Sequence, residues 1–313
     1  MPYDAIVVGG SFAGLSAAMQ LARARRRVLV IDAGLPRNRF AEASHGFFGQ
    51  DGKPPYDILW EAVRQLSAYP TVEFVRGEAT GASQVDGGFT VALGDGREEQ
   101  AARLVLATGV RDELPPIPGM QERWGRTVLH CPYCHGYEVA GRALGVLANN
   151  PLSAHQAVLI PDWGPTTFFT QGVFELDAEQ AAQLAGRGVR VERTPVVELL
   201  GEAPGLEAVR LADGRVIPLQ ALFTAPEVRM ASPLAEGLGC AFEQGPQGPY
   251  IRVDDWKQTT VAGVYAAGDA AGPMHNATLA SAGGVLAGVG AHQSLARETA
   301  RPMCPDPVGD SAH

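Results

Sequence analysis

The chain has 313 residues, enough for two domains that each bury a core of their own. Its net charge of −9 argues against nucleic acid as a partner, and no apolar run reaches membrane-spanning length, the most apolar late stretch (Ala277 to Ala291) being broken by Thr, Ser and four glycines. The first strand is expected by Asp4, which leaves no room for a targeting segment, so the 4 cysteines are expected to serve catalysis in a cytoplasmic protein rather than a disulfide scaffold.

Asp4-Ala5-Ile6-Val7-Val8 is a short apolar run of the kind that forms a fully buried parallel strand. It leads into Gly9-Gly10-Ser11-Phe12-Ala13-Gly14, an Ala/Leu-rich helix to about Arg25, and a strand from Arg27 to Asp32. This is a βαβ unit with a dinucleotide fingerprint, in which glycines let a pyrophosphate approach the helix N-terminus. Ser11 replaces the middle glycine of G-x-G-x-x-G, and Asp32 ends the second strand where an acid bonds ribose hydroxyls.

Residues 33–56 read as an irregular loop with Pro36, Arg37, Asn38, Arg39, His45 and Gly46, long enough to be functional. A helix is predicted from Asp57 to about Ala68, then a strand over Val72–Arg76 and an antiparallel insertion with turns at Gly87-Gly88 and Asp95-Gly96. Leu104 to Gly109 is a further buried strand ending in the small residues Ala107, Thr108 and Gly109. Pro115, Pro116, Pro118 and Gly119 mark a linker, which puts a domain boundary near residue 112.

Next comes Cys131-Pro132-Tyr133-Cys134-His135-Gly136-Tyr137-Glu138. Two cysteines at this spacing can close a disulfide or open to a dithiol within one helical turn. A helix starting at the first would aim N–H groups at its sulfur and favour the thiolate, the form that exchanges. His135 can carry the proton that moves with the electrons. Three rival readings are weaker. C-type haem attachment through Cys-x-x-Cys-His needs export. A zinc site needs a second ligand pair, and Cys240 and Cys304 stand alone, so no metal is expected. Inert buried cysteines would not explain the proline between them and the histidine after them.

Beyond this stretch, a strand over Ala143–Leu147, helices near Leu152–Ile160 and Asp177–Ala185, and strands at Thr167–Thr170 and Val189–Arg193 repeat the βαβ pattern. A hairpin is signalled at Ala212–Arg215, and Gly245–Pro249 reads as the return linker. Gly263 to Asp269 is followed by a small-residue helix from about Thr278 to Thr299, and the Pro-rich tail after Arg301 is expected to fray.

Taken together, the Gly9–Gly14 loop, Ala107-Thr108-Gly109, Cys131–Cys134 and Gly268-Asp269 resemble the low-molecular-weight thioredoxin reductase family of FAD-dependent disulfide oxidoreductases, along the whole chain and in order. The resemblance implies an α/β fold of two three-layer Rossmann-like nucleotide-binding domains, the second inserted into the first. FAD would lie in residues 1–112 with 246–313, and the redox pair on an NAD(P)H-binding-like insertion at 113–245. It implies that Cys134 faces the flavin and Cys131 exchanges with substrate. It further implies that Asp269 bonds the flavin's ribitol or pyrophosphate and that Asn276 and Ala277 lie near its ring edge. Gly9, Ser11, Phe12, Ala13, Gly14, Asp32, Asn38, Arg39, His45 and the 107–109 stretch complete the cofactor set. A homodimer is the family habit.

Two departures from that family set the expected function. Where its second Gly-rich loop would hold NADPH, this chain has Ala148-Asn149-Asn150-Pro151-Leu152-Ser153, and Thr170-Gln171-Gly172 replaces its 2′-phosphate clamp. Conventional NAD(P)H use is therefore not expected, the alternative being a different loop conformation that still binds it. His135 stands where those reductases carry an acid, and the Cys-x-x-Cys-His pattern looks more like the superfamily's dithiol oxidases of the gliotoxin and holomycin type. Dithiol oxidation with O2 as an acceptor is the first expectation. Reduction of a thioredoxin-like protein with NAD(P)H or ferredoxin is the second, and a flavin-bound redox sensor the third. His130 and His155 are read as packing or surface residues, roles that would also suffice for His45.

Overall fold

The computed structural model describes residues 3–150 and 152–299, so Cys304 and the tail lie outside the described residues. A first sheet of seven strands runs Val72–Arg76, Val28–Asp32, Tyr3–Val8, Glu98–Leu106, Gly88–Leu93, Ala79–Val85, with Val264–Ala266 on the far side of Glu98–Leu106. The strands from Val72–Arg76 to the inner half of Glu98–Leu106 are parallel, as is Val264–Ala266. Ala79–Val85 and Gly88–Leu93 form the antiparallel insertion on the outer half. Ala5, Ile6, Val7, Val28 and Val30 are fully buried, which is why their sequences are unbroken apolar runs.

The first helix (Phe12–Arg23) lies against the final helix (Ala277–Thr299) on one face of this sheet. A Cβ on Gly284 would collide with the Ala13 carbonyl, and one on Gly288 with that of Ala17. The small residues of the final helix are therefore needed for close helix packing.

A second, all-parallel sheet holds Arg190–Glu192, Thr166–Phe169, Leu144–Leu147, Ala221–Thr224 and Val128–Leu129, next to a three-stranded antiparallel sheet of Val196–Leu200, Ala208–Leu211 and Val216–Pro218. The fold is thus two Rossmann-like α/β units, the second inserted in the first. The crossings between them pair with each other as a two-stranded ribbon, Val110–Glu113 against Glu227–Met230. After the ribbon, Leu234, Ala235 and Cys240 pack into the first unit's core, ahead of the Gly/Pro stretch at 245–249. No helix among the described residues is long and apolar enough to cross a membrane.

Candidate active site

The strand Tyr3–Val8 ends in a loop that only glycine can build. Gly9 has φ +108°, and a Cβ there would strike the Ala107 carbonyl. The Gly10 N–H donates to Asp32 Oδ1 at 2.9 Å, so the acid ending the second strand is tied to the loop. Ser11 is the N-cap of the first helix, and its hydroxyl makes no capping bond, which leaves the first-turn N–H groups free for an anion. Gly9, Ser11, Phe12, Ala13 and Asp32 all line one cavity of about 1110 Å³. Gly14 does not line it. Gly14 lies beneath, where a Cβ would collide with the Gly9 carbonyl, so it sets the helix against the strand.

The same cavity is lined by Ala107, Thr108 and Gly109, by Asn38, Arg39 and His45, and by Gly268, Asp269, Asn276 and Ala277. Asn38 sits on a short 3-10 helix, Arg37–Phe40; its Oδ1 is buried without a partner. Arg39 donates to the Pro36 carbonyl at 3.0 Å and lies over the Phe40 ring. Asn276 Oδ1 accepts from the Thr278 N–H at 2.8 Å, at the start of the final helix.

At the floor Arg37 joins three distant segments. Its Nε lies 3.1 Å from Asp112 Oδ2 and its Nη1 2.9 Å from Asp269 Oδ2. Burial works against the guanidinium charge, but Asp112 and Asp269 together hold its pKa above the ordinary arginine value. Neighbouring His275 has a buried Nδ1 with no partner, and burial lowers its pKa.

The same cavity is lined by Cys131 and Cys134, joined as a disulfide with their Cα atoms 5.3 Å apart. Cys131 is the N-cap of a one-turn helix, Pro132–His135, so the helical dipole behind its sulfur is short. Trp163 supports the turn: Tyr133 meets it edge-on at 5.9 Å, and Gly136 leaves room for its indole. Burial lowers the His135 pKa, with His45 adding to the effect and Glu138 opposing it. His45 has Nε2 at 3.5 Å from Glu138 Oε1 and Nδ1 at 3.6 Å from Asp51 Oδ1. His130, just before Cys131, also lines the cavity; burial, with Arg37, pushes its pKa down to about 4. As a neutral ring it accepts from the Gln247 amide at 3.0 Å. His155, in contrast, is exposed on the helix Leu152–Leu159.

In the inserted unit the loop after Leu144–Leu147 is closed on itself. Buried Ser153 Oγ accepts from the Asn149 N–H at 3.0 Å and from the Asn150 N–H at 3.4 Å. Asn150 Oδ1 takes the Leu152 N–H at 3.0 Å, and both Asn side chains reach the Ala225 carbonyl. The N–H groups that hold a pyrophosphate in a dinucleotide fold are here bonded internally. Gln171 is likewise engaged, bonding both backbone groups of Val196. Pro151 lies outside the described residues.

Arg37, Asp112, Gln247, His275 and Trp163 are site residues that the sequence pattern does not mark. Arg37 stands in a loop flagged as functional, but its partners at 112 and 269 are non-local. No group of three or more His, Cys, Asp or Glu side chains suited to a metal occurs among the described residues. FAD fits what is present: a glycine cradle at a free helix N-terminus, the unpartnered Asn38 Oδ1 and His275 Nδ1, and a cavity reaching from that cradle to the disulfide.

The disulfide opens onto the same cavity as the Gly-rich loop, and a two-domain α/β fold so arranged is that of a flavin-type disulfide oxidoreductase. The chain belongs to the pyridine nucleotide-disulphide oxidoreductase family, whose profile matches residues 3–147 and 171–284. It is 32% identical to thioredoxin reductase tcpT of Claviceps purpurea, over 91% of this chain and 92% of that one. It is 30% identical to thioredoxin reductase sirT of Leptosphaeria maculans, over 92% and 93%. Among solved structures, an oxidoreductase from Agrobacterium tumefaciens matches with a TM-score of 0.91 and 52% identity, covering 95% of this chain and 99% of that one. HlmI matches with a TM-score of 0.89 and 37% identity, over 95% and 94%.

Proposed function

We propose that the chain is an FAD-dependent thiol–disulfide oxidoreductase that oxidises small dithiols and does not use NAD(P)H in the conventional way. The carrying observation is the loop at 148–153, whose N–H groups are bonded to Ser153 and Asn150 rather than left for a pyrophosphate. Opening it would break those bonds before any nucleotide bond formed, and the Gly-rich geometry would still be missing.

In this reading a substrate thiolate attacks Cys131 Sγ, the Cys131–Cys134 bond breaks, and Cys134 leaves as thiolate. The second substrate thiolate attacks the sulfur joined to Cys131, closing the substrate disulfide and releasing Cys131 as thiolate. His135, neutral because burial disfavours its charged form, takes a thiol proton. When bound, FAD would supply the two-electron sink, with dioxygen a suitable final acceptor. Gly9 and the first turn of the first helix would hold its pyrophosphate, and Arg37 would fix Asp269 and Asp112 around it. Exposed Tyr133 and Tyr137 flank the disulfide and suit an apolar dithiol.

The relatives' names favour a second reading, reduction of a thioredoxin-like disulfide with NAD(P)H or ferredoxin as donor. An oxygen electrode separates the two. Dithiothreitol alone should drive sustained oxygen uptake with FAD-loaded protein, one O2 per disulfide formed. Turnover only when NADPH and a thioredoxin disulfide are both present would establish the second reading. Absence of turnover with any of these would leave a redox sensor.

A further inference from the structure

We propose that His45 and Glu138, acting through His135, form a proton exit from the redox centre that ends in solvent at Asp51. The proposal rests on the dithiol-oxidase reading. Each substrate disulfide formed removes two thiol protons as two electrons leave; a reduced flavin would take up at least one proton, so in the reductive half-reaction the other must leave the site, to be returned when the acceptor is reduced. His135 is the first acceptor, but a buried imidazole of lowered proton affinity must hand that proton on.

The groups facing it are arranged for that. Glu138 and His45 both act electrostatically on His135. His45 then bridges two carboxylates through its two ring nitrogens, Nε2 toward Glu138 at 3.5 Å and Nδ1 toward Asp51 at 3.6 Å. A ring that receives on one nitrogen and releases from the other suits a relay. The path ends outward: the His45 side chain is 22% exposed and the Asp51 carboxylate it leads to is 69% exposed.

The loop that carries His45 is fixed against the redox turn. Ser44 and Lys53 close it as a bridge, and Gly46 donates to Asp51 Oδ1 at 2.8 Å. Gly46 also approaches the Tyr133 carbonyl, while Phe47 packs edge-on against Phe12 at 5.6 Å. The loop therefore spans from the Gly-rich cradle to the disulfide. Glu138 does not line the cavity and His45 does, but in this proposal both act on the sulfurs only through His135, as positioning residues.

The test uses FAD-loaded protein, anaerobic dithiothreitol and weak buffer at neutral pH. Flavin bleaching follows the electrons, and alkylation of Cys131 and Cys134 with mass analysis reads the exchange step separately. His45→Ala and Glu138→Gln should each slow both readouts by roughly 10-fold, short of the 10²–10⁴-fold range for a direct base. Added imidazole should restore the rate of His45→Ala, measured per bound flavin because His45 lines the cofactor cavity, and leave the unsubstituted protein unchanged. Unchanged rates in both variants, or slowed rates that imidazole does not restore, would overturn the relay and reduce the His45 pairs to a clamp. If the unsubstituted protein itself fails to react with dithiothreitol while NADPH bleaches it, the dithiol-oxidase reading falls first and the relay with it.

Discussion

At the scale of single residues, the chemistry is set by how burial divides the histidines. Burial disfavours the charged form of His135, beside Cys134, and in the proposed reading this ring is the thiol base. His135→Ala should lower dithiol-driven flavin reduction roughly 10²–10⁴-fold at neutral pH while leaving flavin bound. The deficit should shrink as pH rises toward the thiol pKa, since preformed thiolate needs no base. An unchanged rate at neutral pH would remove the residue from the mechanism. His130 makes a different statement. It takes a proton near 6.5 when unfolded and only near 4 in the folded protein. The unfolded chain then binds more protons between those values, so stability is intact above 6.5 and lost as pH falls toward 4. From roughly pH 7.5 to pH 5 this amounts to about 2 kcal/mol. Urea unfolding at the two pH values should show it, and His130→Asn should flatten the difference; an equal slope in the variant would locate the acid sensitivity elsewhere.

At the scale of elements, the first βαβ unit is the part most legible in the sequence, because a buried parallel strand writes itself as a continuous apolar run and the turn after it admits only glycine at Gly9. The same logic makes Gly14 decisive without its touching a ligand. Gly14→Val should abolish FAD binding, since its side chain would occupy the space of the Gly9 carbonyl and push helix from strand. Absorbance of the purified variant checks this, and full flavin content would contradict it. The redox turn, the final helix and the changed loop at 148–153 were also readable, the last as missing glycines. What replaces them is not: Ser153, in the first turn of the helix Leu152–Leu159, reaches back to the Asn149 and Asn150 N–H groups, while Asn150 Oδ1 takes the Leu152 N–H. The ribbon Val110–Glu113 with Glu227–Met230 was likewise hidden. Its strands are short, charged and half exposed, and their pairing spans more than a hundred residues, so no local period announces it. Arg37 is the residue-level counterpart, with partners at 112 and 269 that only the closed fold brings within reach.

At the scale of the whole molecule, the two units line one cavity together, the dinucleotide cradle from the first and the disulfide from the second. In the proposed reading electrons pass between this disulfide and FAD bound in the shared cavity, and the N–H groups of Asn149 and Asn150 in the inserted unit's loop are bonded internally. The internally bonded loop is why we propose that electrons flow from dithiol to flavin. The direct measurement is anaerobic stopped-flow of the FAD-loaded protein against each donor alone. Dithiothreitol should bleach the flavin rapidly, and NADPH slowly or not at all, with little preference over NADH for want of a 2′-phosphate clamp. Rapid bleaching that saturates at micromolar NADPH, with the flavin left oxidised by dithiothreitol, would contradict the account.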